Sequence, residues 1–393
     1  MINAEALLGL PGYQISRIEW SRGRVKITAV YTGPICCPSC GKSHLRSKGR
    51  YLRQVRHEDI GMRPCMLVLE AHKWLCQDCG RHFRQRFTGI QPCQRSSEAF
   101  QHSIYLQHLD GINRSRLGRR EGIGAATVER YFERGLQRQF AEWHPQECPK
   151  ILGIDEHFFT RKKGYATTLC DLRNHKIYDV VLGRSELSLE AYMTSLKGKD
   201  QVQIVAMDLS ATYRALVRKY FPQAQILADR FHVIRLVNHH FLNCWRELDP
   251  VGSRNRGLLK LMRHHQHTLS PEQVLKLEVY LAQWPAFKAI YQFKQNLAEL
   301  LCKRSRSRKQ CHKLVHRLFA AIAELKTCPM PQLVQLGQTL FSWKEEIALM
   351  WRFTRNNAIT EGFHNKMELI NRQAYGFRNF ENYRMRVKVL CSM

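Results

Sequence analysis

The sequence of 393 residues predicts an α/β protein of two or three domains. Three observations predict this class. Residues 13–35 alternate apolar and polar side chains, as half-buried strands do. Short apolar segments alternate with helical ones between residues 151 and 229, and the pattern from about 231 to 350 is helical and strongly basic.

The first of these regions also contains two CxxC motifs, each followed by a glycine that permits a tight turn. Two such motifs supply the four thiolates of a closed, structural Zn²⁺ site. The predicted ligands are Cys37, Cys40, Cys76 and Cys79. The motifs lie further apart than in common zinc ribbons, so we expect the apolar run 67–71 to form a hairpin that joins them. Alternative ligands are Cys36, His44, His72 and His82.

Residues 1–95 are therefore interpreted as strands and a zinc ribbon, and residues 96–147 as a helix-turn-helix domain. Leu117 is expected to close a first short helix, and Gly122-Ile123-Gly124 to form the turn. A second helix is expected from Ala126 to Arg134. Its polar side chains Thr127, Arg130 and Arg134 would suit a DNA major groove. An ordinary packing hairpin has the same pattern.

The third region, residues 148–245, has the order strand, strand, strand, helix, strand, helix, strand. This order fits a ribonuclease-H-like core, in which the first and fourth strands are neighbours. The first strand is expected to end at Asp155-Glu156 and the fourth at Asp208, so their carboxylates would meet at one sheet end. Oxygen ligands of this kind hold Mg²⁺ or Mn²⁺ ions, which support phosphodiester chemistry.

A third acid is expected from residues 351–393, the C-terminal helices of the same core. Glu361 stands near a helix start and faces away from the apolar stripe formed by Ile359, Phe363, Met367 and Ile370. Some choices stay open. Asp229 competes with Asp208 or forms a supporting cluster with His232, which would contact DNA, and Glu156 is an alternative to Asp155.

The charge of the chain indicates a polyanionic partner. Lys and Arg outnumber Asp and Glu by 62 to 33, a net charge of +29. Arg81 and Arg84 beside the second CxxC motif suit phosphate contacts. Residues 246–350 are interpreted as an all-helical basic insertion whose aromatic residues are expected to form its core. No segment has the length and apolarity of a membrane span, and no signal peptide is apparent, so a cytoplasmic, nucleoid-associated protein is expected.

Three segments together resemble the ISL-three family of bacterial insertion-sequence transposases: Leu152-Gly153-Ile154-Asp155-Glu156, Asp229-Arg230-Phe231-His232-Val233 and Ala374-Tyr375-Gly376-Phe377-Arg378-Asn379. The zinc ribbon and helix-turn-helix precede them in the family's order. The resemblance implies a DDE-type transposase with a ribonuclease-H-like core and a helical insertion before the last acid. It places Asp155, Asp208 and Glu361 at the family's three acidic positions.

Such an enzyme would bind the terminal inverted repeats of a mobile element, cleave DNA and transfer the freed strand to a target. It would act as a homodimer or a higher oligomer, since two ends are processed together. Two rivals remain: a nuclease of the same fold without strand transfer, and a zinc-dependent regulator with an inactive core.

Overall fold

The computed structural model describes residues 8–142, 147–304, 307–353 and 358–391. The chain divides into two compact units. The first comprises Met1–Glu142 with Gln373–Gly376, and the second comprises Trp143–Arg372 with Phe377–Met393. The mixed α/β class predicted from the sequence is confirmed, since the first unit contains one sheet with helices and the second contains another.

The sheet of the first unit has five strands. They are β1 (Tyr13–Trp20), β2 (Val25–Tyr31), β3 (Leu45–Ile60), β4 (Arg63–Cys76) and β5 (His82–Arg84). The order is β1-β2-β4-β3, and β5 also pairs with β4. The hairpin expected between the CxxC motifs is formed by β3 and β4, with Leu45 opposite Cys76. Gly61 and Met62 turn it with φ of 57° and 61°, the left-handed pair typical of tight hairpins.

The described part of this unit also contains the helices α1 (Glu98–Leu109), α2 (Arg114–Glu121) and α3 (Ala125–Glu142). Leu117 was expected from the sequence to close the first helix of the pair, and this expectation is wrong. Leu117 lies in the middle of α2 and is fully buried, because the helix continues to Gly122, whose φ of 67° ends it. The second helix of the pair also extends past Arg134 to Glu142. Its buried Val128 packs with Leu117 and Ile104 in one small core.

The second unit is built on another five-stranded sheet, formed by β6 (Ile151–Thr160), β7 (Gly164–Asp171), β8 (Lys176–Leu182), β9 (Ile204–Met207) and β10 (Gln225–Ala228). The order is β10-β9-β6-β7-β8. The first and fourth strands of this region are therefore neighbours, as predicted, and they are parallel. Helices α4 (Glu186–Ser195) and α5 (Ala211–Tyr220) connect the strands in the predicted order.

One strand is longer than the sequence suggested. We expected the first strand to end at Asp155-Glu156, but β6 continues to Thr160. The reason is its second neighbour: parallel pairing with β9 stops at Ile154, whereas antiparallel pairing with β7 continues to Thr160. Asp155 therefore lies within β6, at the point where β9 has ended.

Helices follow the sheet. They are α6 (Arg230–Leu248), α7 (Arg256–Arg263), α8 (Pro271–Ala282), α9 (Pro285–Cys302), α10 (Arg308–Lys326), α11 (Pro331–Ser342), α12 (Lys344–Arg352), α13 (Ala358–Gln373) and α14 (Phe380–Leu390). The helical pattern predicted from about 231 to 350 is confirmed. Phe287 and Tyr291 are buried there, as expected of core aromatics. No helix in the described ranges is long and apolar enough to cross a membrane.

Candidate active site and zinc centre

Three aspartates follow the same point of three neighbouring parallel strands. Ile154 of β6 is aligned with Met207 of β9, and Met207 is aligned with Ala228 of β10. The next residue along each strand is Asp155, Asp208 or Asp229. The sequence-predicted meeting of Asp155 and Asp208 therefore includes Asp229 as a third, equally aligned carboxylate.

Asp155 is the most enclosed of the predicted catalytic acids, with 7% of its surface exposed. Its Oδ1 accepts a hydrogen bond from the backbone N–H of Glu156 at 2.8 Å. Burial raises the pKa of Asp155 to about 6, and the carboxylates of Asp208 and Asp229 add to the rise, while His232 opposes it.

Asp208 and Asp229 differ in what their oxygens contact. Asp229 is the N-cap of α6, where its Oδ1 accepts from the N–H of Phe231 and its Oδ2 bonds His232 Nδ1 at 2.7 Å. In contrast, Oδ1 of Asp208 is buried without a hydrogen-bond partner among the described residues. Burial raises the pKa of Asp208, too. A buried carboxylate oxygen without a donor is costly unless a ligand satisfies it.

His232 stands among these acids, on the first turn of α6. Burial disfavours its protonation, but the hydrogen bond to Asp229 and the charges of Asp229, Asp155 and Asp208 outweigh burial and raise the pKa of His232. The ring is therefore held beside the carboxylates by Asp229.

Glu361 lies on the first turn of α13 and is exposed. The same helix meets the acidic edge one turn later, where His364 Nδ1 is 3.9 Å from Asp155 Oδ2 and His364 Nε2 is 3.2 Å from Thr168 Oγ1. Glu361 lies one helical turn before His364 on the same helix. The predicted apolar stripe is also observed, with Met367 and Ile370 buried.

Glu156, the alternative to Asp155, has another partner. Both of its oxygens lie 3.1 to 3.2 Å from Arg184 Nη1, and its side chain is one-third exposed. Successive strand residues point to opposite faces, which separates Glu156 from Asp155.

Sequence reasoning missed a half-buried pair of histidines, His157 and His364, near Asp155. His157 bonds Thr168 at 2.9 Å and the Tyr383 hydroxyl at 3.0 Å, and its ring centre is 5.4 Å from that of His364. Burial lowers the pKa of His157 to about 3 and that of His364 to about 4, which favours the neutral form of both rings. The available signal was spacing: His157 follows Asp155 by two on one strand, and His364 follows Glu361 by three on one helix.

The predicted zinc ligands converge in the first unit. Within the described ranges, one group of three or more His, Cys, Asp or Glu side chains is placed to hold a metal ion. It consists of Cys37, Cys40, Cys76 and Cys79, and all four sulfurs lie within 4.8 Å of one another. The Sγ atoms of Cys37 and Cys79 are 3.5 Å apart, and those of Cys40 and Cys76 are 3.6 Å apart. A tetrahedral zinc ion with Zn–S bonds of about 2.3 Å requires sulfur-to-sulfur distances of about 3.8 Å, close to these values.

Matching turns build the two halves of this site. The N–H of Gly41 bonds the carbonyl of Cys37, and the N–H of Gly80 bonds that of Cys76, each at 2.9 Å. Both glycines have left-handed φ, 74° and 70°. Donation from the Cys40 backbone lowers the pKa of Cys37 to about 6, which favours the thiolate that binds metal. The alternatives Cys36, His44, His72 and His82 lie outside the group.

The side chains predicted to contact DNA have different surroundings. Arg81, Arg84 and Arg130 are exposed, and Arg130 donates to Thr127 Oγ1 at 3.0 Å. Arg81 also donates to Ser39 Oγ. Arg134 is half-buried and donates to Gln101 of α1 at 3.3 Å, so part of its hydrogen-bonding capacity is used within the unit.

Comparisons with known proteins match two regions of the chain and one full-length relative. A family profile described as a transposase, DDE_Tnp_ISL3, matches residues 152–387. A second profile, the zinc-finger of transposases IS204/IS1001/IS1096/IS1165, matches residues 33–79. The transposase for insertion sequence element IS1001 of Bordetella parapertussis is 23% identical over 403 residues, which cover 98% of this chain and 96% of that protein. Because the first profile spans more than half of the chain, the resemblance seen in the sequence is confirmed, and the protein belongs to the ISL3 (ISL-three) family of insertion-sequence transposases.

Proposed function

We propose that this DNA transposase cuts and joins DNA with divalent metal ions held by Asp155, Asp208 and Glu361 on a ribonuclease-H-like core. The observation that carries the proposal is the strand alignment that sets Asp155 and Asp208 side by side at the end of β9. The sheet order β10-β9-β6-β7-β8, with three antiparallel strands first and two parallel strands added, supports the fold assignment.

The residues at this edge fit Mg²⁺ or Mn²⁺. The donors are carboxylate oxygens, which hard cations prefer, and Asp208 Oδ1 is buried with no hydrogen-bond donor from the part of the chain that the structure describes. The acids do not form a second closely converged group like the zinc cysteines within the described residues. Like charges repel, which keeps the carboxylates apart when no cation is bound. A cation shared between them would offset that repulsion and draw them together. When bound, the ions would activate the attacking oxygen and stabilise the leaving one.

The residues of the chain have separate tasks in this proposal. Asp155 and Asp208 hold the ions, and Glu361 approaches from α13 to complete the set. Asp229 holds His232 through the bond of 2.7 Å, and the raised pKa of His232 favours a protonated ring that can contact a phosphate oxygen. Water or a DNA 3′-hydroxyl is the attacking group, and no covalent protein–DNA intermediate is required.

DNA recognition is proposed for the first unit. The zinc ribbon and the α2–α3 pair, acting as a helix-turn-helix, would bind the terminal inverted repeats. Arg130, exposed near the start of α3, and Thr127 beside it are our candidates for base contacts. Arg81 and Arg84 are candidates for phosphate contacts, and Arg134 contributes less because Gln101 already binds it. Two ends would be held by a dimer or higher oligomer.

The catalytic assignment is tested by substituting the aligned aspartates one at a time. Asp155→Ala and Asp208→Asn should bind an end-containing DNA fragment normally and lower Mg²⁺-dependent cleavage by about three orders of magnitude, since several kcal/mol of barrier lowering is lost. Asp229→Asn weakens only the support of His232 and should cost about 10- to 100-fold. Wild-type cleavage by Asp155→Ala would contradict the proposal.

Strand transfer is tested separately with pre-cleaved element ends and a supercoiled target plasmid. Joined products that require Mg²⁺ and Asp155 are expected of a transposition reaction. Cleavage of intact ends without any joining of pre-cleaved ends would instead identify a nuclease. Specific binding without either reaction would identify a regulator.

A further inference from the structure

A cavity of about 690 Å³ begins beside Asp208 and His232 and continues along the outer face of α6. Its walls include Arg235, Arg246 and Arg263, and Asp208 at one end is the one carboxylate among its described lining residues. The cavity lies entirely within the second unit. We name it the α6 groove.

The α6 groove follows from the residue spacing of its helix. Lining residues recur in steps of three and four along one stripe of α6: His232, Arg235, His239, Leu242 and Arg246. The opposite stripe, with Val233, Val237 and Trp245, is buried. From position 232 to position 246 the helix advances by about 21 Å, at about 1.5 Å per residue.

The cations of the α6 groove are available for a ligand. Arg235, Arg246 and Arg263 are exposed, and none of them forms an ion pair with a carboxylate in the described part of the chain. Arg246 donates to the neutral Asn243 at 2.7 Å. Asn238 Oδ1, also on the wall, is buried without a partner among the described residues.

We propose that the α6 groove binds the phosphodiester backbone of the DNA strand whose scissile phosphate lies at the acidic site. The proposal rests on the function proposed above. Small-molecule pockets are lined mainly by apolar groups, whereas this groove carries a row of arginines and histidines that ends at a catalytic carboxylate. A length of about 21 Å corresponds to about six base-pair steps along the axis of a duplex, at about 3.4 Å of rise per step.

Binding measured without added Mg²⁺ or Mn²⁺, with the structural zinc left in place, separates the groove from metal-dependent contacts at the acidic site. The probes are a duplex with the element's end and flank, and an unrelated duplex of equal length. Removing one phosphate-binding charge reduces the slope of log affinity against log salt concentration by about 0.9. The triple substitution R235A/R246A/R263A in the full-length protein should reduce the slope by about 2 to 3 on both probes, because backbone contacts do not read sequence.

Matched variants make the result specific. Arg317 is exposed on α10, outside the α6 groove, so Arg317→Ala should change the slope less than Arg235→Ala, which removes the same charge. A triple Arg→Lys variant keeps the charges and should keep most of the slope. An unchanged slope in the triple alanine variant, or an equal loss in Arg317→Ala, would overturn the proposal.

Cleavage separates this inference from the catalytic one. Asp208→Asn should bind without added Mg²⁺ with at least the wild-type affinity, although it does not cleave. The triple alanine variant should raise KM for the end fragment more than it lowers kcat, because the acidic residues are intact. A normal KM in that variant would show that the groove does not hold the reacting strand, whatever the outcome for Asp155→Ala.

Discussion

At the scale of single residues, Asp155, Asp208 and Asp229 could be placed at one sheet edge from the sequence, because each follows a short apolar run. The sequence could not rank Asp208 against Asp229. The difference lies in hydrogen bonds that form after folding. Asp229 caps α6 and holds His232, while Asp208 keeps a buried oxygen to which none of the described residues donates. An aspartate suits both a helix N-cap and a metal ligand, so residue type alone does not distinguish the two roles. The surroundings of each side chain in the folded protein distinguish them.

The half-buried pair of His157 and His364 escaped sequence reasoning for a related reason. The two residues lie 207 positions apart and meet through Thr168, a residue whose type predicts nothing. Long-range contacts of this kind depend on how α13 packs on β7. Periodicity within one element can predict which face is buried, but not which residue of another element it meets.

The zinc site allows a test at the residue scale, because Cys36 and Cys40 are both exposed but only Cys40 belongs to the sulfur group. Cys40→Ser should lose zinc and destabilise the β3–β4 end of the sheet, since a structural zinc contributes folding free energy directly. The measurement is the zinc-to-protein ratio by atomic absorption, together with thermal unfolding. Cys36→Ser is the control and should retain zinc. Zinc loss from Cys36→Ser, or full retention by Cys40→Ser, would exclude the proposed ligand set.

At the scale of elements, the order of strands and helices was predictable and the length of β6 was not. The apolar pattern of residues 150–154 is that of a strand buried on both faces, and it stops at Asp155. The continuation through Phe159 is stabilised by β7, and Phe159 packs against Tyr383 of α14 with ring centres 4.8 Å apart. The acidic pair Asp155-Glu156 therefore looked like the end of the strand, although β6 continues beyond it to Thr160.

An ion pair between two elements was also invisible in the sequence. Asp179 of β8 is buried, and its two oxygens lie 2.7 Å from Nε and Nη2 of Arg384 on α14. Lys388 Nζ is 3.3 Å away. Burial raises the pKa of Asp179, but the bonds from Arg384 and the charge of Lys388 outweigh it and lower the pKa below its ordinary value. Burial lowers the pKa of Lys388, so we assign the stabilisation mainly to the paired Arg384.

Asp179→Asn should therefore lower the free energy of unfolding at pH 7 by about 3 to 5 kcal/mol, the usual cost of breaking a buried pair from one side. The folded pKa of Asp179 lies below the unfolded value of about 3.9, so the carboxylate's stabilisation is complete above that pH and is lost as the pH falls through the folded pKa. The difference in free energy of unfolding between the wild type and Asp179→Asn should therefore become smaller below about pH 4. Urea unfolding across pH 3 to 7 measures it.

Glu381 provides the control for this pair. It contacts the same Arg384 at 3.2 Å but is largely exposed, with 63% of its side-chain surface accessible. Glu381→Gln should change stability by less than about 1 kcal/mol. An equal loss in both variants would mean that Arg384 itself, and not the buried carboxylate of Asp179, determines the effect.

At the scale of the whole molecule, the helical segment between the second and third predicted acids was visible as a pattern, but its packing was not. Its helices belong to two different cores. Trp245, Leu261 and Phe287 belong to a separate cluster with residues of α7 and α8. Leu318, Leu340 and Trp351 belong to the same core as the sheet. Periodicity shows that a helix has a buried face, and it does not show which core receives that face.

A polar contact joins the later helices to the sheet layer as well. Glu346 of α12 is buried and lies 2.6 Å from Arg214 of α5, whose guanidinium stands 3.6 Å above the ring of Trp343. The expected boundaries at residues 245 and 350 remain predictions. This packing indicates that only the part around α7 and α8 can be separable.

Two deletions of different size test this division. Replacing residues 246–350 by a short Gly-Ser linker removes Leu318, Leu340 and the Glu346 contact, so we expect the sheet core to lose cooperative unfolding and near-ultraviolet circular dichroism. Replacing only residues 250–283 removes α7 and α8 and leaves those contacts in place. That variant should unfold cooperatively at a lower Tm, because its remaining cluster around Trp245 is partly uncovered. A cooperative, wild-type-like transition in the larger deletion would show instead that the sheet folds without the helices that share its core.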